Sequence, residues 1–134
     1  MSKLHQANPG RPARLDKVAK RNDTFIWQIT MWSNNGKPYD LTDHNFLLQV
    51  KETPDSDPVI SMEDDSFIID QDEYGASQDV YNVLYIRHPA SLMNVAFKCY
   101  YYDLEMTTPE GDIQTIYEGS FTVTKDMSQE FTEE

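Results

Sequence analysis

One cysteine, five glycines and no long apolar run are the scarcities of this 134-residue chain. With Cys99 alone no disulfide can close within the chain, a usage that fits a reducing compartment. No glycine-rich stretch offers a phosphate cradle, and no serine occupies a Gly-x-Ser-x-Gly elbow. No apolar stretch approaches the roughly 20 residues of a bilayer-spanning helix, so no membrane segment is expected. The opening MSKLHQANPGRPARLDK lacks the apolar segment of a secretory signal. Positive charge is scarce too: 11 Lys and Arg against 23 Asp and Glu give a net charge of -12. So acidic a body repels phosphates, which speaks against nucleic acid and anionic lipid as partners.

The few positive charges are gathered at one end. Lys3, Arg11, Arg14, Lys17, Lys20 and Arg21 precede a strongly acidic remainder. Pro9, Gly10 and Pro12 resist helix and central strand alike, so residues 1–20 are expected to form an extended basic arm, with at most a weak helix over 15–20. The arm's cations, Arg11, Arg14, Lys17 and Lys20, are expected to lie on an acidic surface, of their own domain or of a neighbouring copy. Residues 21–127 are expected to be one domain and residues 128–134 an acidic C-terminal tail.

Within 21–127 the dominant period is two. Phe25, Trp27, Ile29 and Met31 alternate with Thr24, Ile26, Gln28 and Thr30, and Phe46, Leu48 and Val50 alternate with Leu47 and Gln49; each set predicts a strand with one buried face. Asn35-Gly36 and Pro109-Glu110-Gly111 supply turn chemistry. Two prolines and many acids make 52–66 a long connection or a sheet edge. Short strands follow over 67–69 and 80–86, a helical turn near 89–93, and long strands over 97–106 and 113–124, the last with a bulge expected at Glu118-Gly119. Six to eight short strands without a long helix predict an all-β, antiparallel β-sandwich. Its expected core is Phe25, Trp27, Ile29, Phe46, Leu48, Phe121 and Val123.

Chemistry is thinly represented. His5, His44 and His88 lack metal-ligand spacing, and a single Cys99, expected to be buried, builds no thiolate site. The acids Asp64, Asp65, Asp70, Asp72 and Glu73 follow no calcium-loop spacing and read as solvated loops. The reading is of a protein that is not an enzyme and needs no cofactor, metal or small-molecule substrate.

The segments Arg21-Asn22-Asp23-Thr24-Phe25, Asn35-Gly36-Lys37-Pro38-Tyr39-Asp40-Leu41-Thr42, Tyr101-Tyr102-Asp103-Leu104, Glu110-Gly111 and Tyr117-Glu118-Gly119-Ser120-Phe121-Thr122-Val123 resemble, in that order, a tail-associated domain of phage virion proteins. The resemblance is to the N-terminal domain of baseplate upper proteins, and it covers about residues 21–127. It implies an immunoglobulin-like sandwich that attaches or assembles parts of a tail, baseplate, neck or fibre without catalysis. The partners it implies are other virion proteins, including further copies of the chain, in a particle assembled from protein made in the host cytoplasm. Two departures stand out: Asp43 where the family has glycine after Leu-Thr, and an end at Glu134 that suggests a free-standing component. A carbohydrate-binding sandwich is the alternative, with Trp32 and Tyr39, beside a turn, as the rings that would stack on sugar.

The run Cys99-Tyr100-Tyr101-Tyr102 poses the remaining question. In a strand these side chains alternate, and Phe97, Cys99 and Tyr101 form one candidate inward row. Tyr100, Tyr102 and Leu104 then form the opposite row, too apolar for water. That row is expected either to lie under a loop or the N-terminal segment, or to place Tyr100 and Tyr102 on an intersubunit surface.

Overall fold

The computed structural model describes residues 2–5, 12–33 and 35–125, the first of these by backbone alone. Ten strands and one short α-helix fall among them. The strands are β1 (Ser2–His5), β2 (Ala13–Arg14), β3 (Lys17–Lys20), β4 (Phe25–Trp32), β5 (Asn45–Lys51), β6 (Pro58–Met62), β7 (Phe67–Asp70), β8 (Val83–His88), β9 (Cys99–Thr107) and β10 (Ile113–Thr124); α1 spans Glu73–Ser77. Two sheets result. The smaller runs β1-β4-β8-β7, and the larger runs β2-β10-β9-β5-β6 with β3 also on β10. They pack as a β-sandwich around one apolar cluster.

The alternation read in the sequence sets the inner faces. Phe25, Trp27, Ile29, Phe46, Leu48, Phe121 and Val123 are all buried, while Ile26 is 55% exposed. Phe121 packs against Phe25 and Tyr102, and Trp27 against Tyr102 and Tyr117. The proline-rich stretch forms β6, an outer strand of the larger sheet, and 67–70 forms β7, an outer strand of the smaller. Pro58 is tolerated there because an outer strand spares one row of hydrogen bonds. The turn after β9 closes with Gly111 at φ 94 and its N–H donated to Thr108 O.

Four expectations are corrected. Residues 13–20 are neither a loose arm nor a helix: β2 and β3 pair with β10, in parallel, as β1 does with β4. The sandwich is therefore mixed at these edges, although its other pairings are antiparallel. The bulge in β10 lies between Thr115 and Tyr117. There Ile116 and Tyr117 are both buried in succession, because the extra residue lets two neighbours face inward. Gly119 is needed for close approach instead. A Cβ on it would meet the carbonyl oxygen of Leu15 at 2.5 Å, so its bare backbone lets the N-terminal strands come near. Cys99 is exposed, not buried.

Candidate binding surfaces

The two rows of the tyrosine run are the reverse of the expected ones. Tyr100 and Tyr102 are 2% and 4% exposed, and Leu104 and Met106 continue their row into the core; Phe97 and Tyr101 are 45% and 56% exposed. Tyr100 donates its hydroxyl to Ala96 O at 2.7 Å, and Tyr102 donates to Leu15 O at 2.5 Å. Burial raises the pKa of both phenols. Neither side chain offers contact area to a neighbour. Tyr102 instead holds the N-terminal strands, the one element of the covered-face expectation that the structure reproduces.

The arm's cations separate. Lys17 sits half-buried with Nζ 4.5 Å above the ring of Trp27, and burial lowers its pKa. Lys20 is exposed at the end of β3, and Arg14 is exposed on β2 with an ion pair to Asp16 at 3.3 Å. Asp16 also accepts a hydrogen bond from Ser120 N at 3.0 Å, so the acid that Arg14 pairs with belongs to the same N-terminal segment and is itself fixed to β10. Arg11 and the tail 128–134 lie outside the described residues.

What surrounds Arg14 was not read from the sequence. Cross-strand register places Gln49 opposite Asp103, Asp103 opposite Glu118, and Glu118 opposite Arg14. One residue-pair further on, Lys51 lies opposite Tyr101 and Tyr101 opposite Ser120. Arg14, Gln49, Lys51, Pro54, Tyr101, Asp103 and Glu118 line a cleft of about 290 Å³ on the outer face of the larger sheet. Burial raises the Asp103 carboxyl above its usual range; Lys51 opposes this and Glu118, directly opposite, adds to it.

The outer face of the smaller sheet has another character. Ile26 pairs with Arg87, and Gln28 pairs with Tyr85, which pairs with Ile68. Ile26 and Ile68 are 55% and 56% exposed.

A third place brings a serine to a histidine. Ser66 Oγ and His88 Nδ1 are 2.9 Å apart, both residues buried, beside a cleft lined by Glu63, Asp64, Asp65 and Arg87. Nucleophilic catalysis needs a third group to orient the base, and among the described residues no carboxylate is hydrogen-bonded to this ring. Nor do three or more His, Cys, Asp or Glu among them gather as a metal site. Burial holds the His88 pKa below the ordinary imidazole value. The unfolded chain therefore takes up this proton first as pH falls. His88 should contribute stability that is complete above about pH 6.5 and lost below it. Urea midpoints compared at pH 8 and pH 5 should fall more for the parent than for His88→Gln; equal falls would exclude a role for His88.

Trp32 and Tyr39 are otherwise engaged. Trp32 is half-buried against the ring of Tyr74, and Tyr39 contacts His44 Nε2 at 3.0 Å. No protein-family model and no curated protein matches the chain.

Proposed function

We propose that the chain is a non-enzymatic structural component of a phage virion, an immunoglobulin-like sandwich acting through protein–protein contacts. Several features support the fold reading. The order β1-β4-β8-β7 against β10-β9-β5 has the pattern of the four- and three-strand sheets of immunoglobulin domains. Tyr100, near the start of β9, bonds the backbone four residues upstream, as the tyrosine of the E–F corner does. Tyr102, two residues later, stands where those domains carry a cysteine, and it meets Trp27 of the opposite sheet edge-on. Asp43 has φ 63, a left-handed conformation that glycine adopts freely and aspartate tolerates, which accounts for its replacing glycine in the resemblance.

The observation that carries the assembly reading is the outer face of the smaller sheet. Two isoleucines are exposed on a sheet face otherwise expected to be polar, Ile68 directly opposite Tyr85 and Ile26 diagonally across from it. Apolar side chains of this kind, interspersed with the polar Gln28 and Arg87, fit a protein partner. Replacing Ile26 and Ile68 together by serine should leave the melting temperature nearly unchanged and lower incorporation into virions. Incorporation equal to that of the parent would remove this face from the assembly.

A further inference from the structure

The cleft on the larger sheet has a composition that assembly does not explain. We propose that it is a binding site for a neutral oligosaccharide, with Tyr101 as the stacking ring and Gln49, Asp103, Glu118, Arg14 and Lys51 as the hydroxyl-binding groups. The argument begins with charge. On a chain of net charge -12, the cleft sets two cations, Arg14 and Lys51, against two carboxylates, Asp103 and Glu118. The carboxylates oppose an anionic ligand, and the fixed cations oppose a cationic one. Asp16, paired with Arg14, further weakens any pull on phosphate or sulfate.

Hydrogen-bonding capacity narrows the class. Gln49 both donates and accepts, the carboxylates accept, and Arg14 and Lys51 donate. The row Gln49, Asp103, Glu118, Arg14 spans four adjacent strands, spaced about 4.8 Å apart. A sugar ring presents hydroxyls that donate and accept in turn, so such a mixed row suits it. Tyr101, 56% exposed in the next row, supplies a flat apolar face with a polar tip for the carbon–hydrogen face of the ring. The volume of about 290 Å³ lies at the small end of ligand pockets. That is room for one or two rings.

Strand geometry also holds the site in place. Asp103 and Tyr101 lie on a central strand paired on both sides, so their backbone positions are set before a ligand arrives, which lowers the ordering cost of binding. The site stands on the face opposite Ile26 and Ile68, so it is independent of the proposed assembly contact.

Titration of the intact, isotope-labelled chain with cellotriose, maltotriose and chitotriose, followed by amide NMR, tests it. At least one trisaccharide should bind with a Kd of about 1 mM or tighter and shift resonances around Tyr101 and Asp103. Tyr101→Ala should weaken that binding by about tenfold or more, Gln49→Ala should weaken it less, and Tyr101→Phe should keep it. Because Tyr101 lies outside the core, the variants should keep the parent's melting temperature, and Ile26→Ser, on the other face, should leave binding unaltered. Absence of shifts with all three sugars, binding that survives Tyr101→Ala, or binding of a heparin fragment in preference to them would each overturn the proposal.

Discussion

Trp27→Ala should destabilise the sandwich by roughly 3–5 kcal/mol, the range for emptying a large aromatic site. Trp27 is 4% exposed, and three neighbours depend on it. Tyr117 and Tyr102 pack against its ring with centroids 5.0 and 6.1 Å away, and Lys17 lies over it. The tyrosines belong to the larger sheet and Trp27 to the smaller, so the indole fills the gap between layers. Removing it leaves a cavity that rigid strands on both sides cannot close. Urea unfolding followed by tyrosine fluorescence should show a lower midpoint with an unchanged slope. A loss within about 0.5 kcal/mol, the range of surface substitutions, would contradict this packing.

Gly119→Ala should cost about 1–3 kcal/mol, as overpacking does, and the damage should be local. The added methyl would press on Leu15 O at 2.5 Å and on the Asp16 carboxylate at 2.9 Å. Backbone cannot yield as a flexible side chain does. The bonds that fail are those holding the N-terminal strands: Leu15 N to Glu118 O at 3.0 Å, Ser120 N to Asp16, and Tyr102 Oη to Leu15 O. Hydrogen exchange should therefore quicken over residues 13–20 while β4 and β8 keep their protection. Uniform quickening, or none, would show that Gly119 does not govern this docking.

The sandwich was legible because the core strands alternate plainly. Trp27 and Leu48 announce an inner face by period alone. The direction of β9 was legible as well, but only over a longer window. Asp103 and Glu105 share the row of Cys99 and Tyr101, and a row carrying two acids belongs outside; the three adjacent rings drew the eye to the wrong end of the strand. Residues 13–20 were hidden by inverted polarity. Their inward row includes Lys17, whose ammonium rests on an indole, and their outward row includes Val18, 66% exposed. No periodicity rule anticipates a lysine facing in and a valine facing out. The Tyr101 cleft was out of reach for another reason: Arg14, Gln49, Asp103 and Glu118 meet only through the register of four strands distant along the chain.

That distance also has a consequence in time. The hydrogen bond from Ser120 to Asp16 joins residues 104 apart. At synthesis rates of about 5–20 residues per second, β3 emerges roughly 5–20 s before the strand it must pair with. Throughout that interval Ala19, buried in the finished fold, and the edge of Trp27 have no cover, while β4 can already search for β8. The newborn chain thus passes through a stage with its first segment unplaced and its larger sheet unfinished. Crowded nascent copies could exchange that segment, so the order of synthesis makes strand swapping between chains the characteristic hazard of this fold.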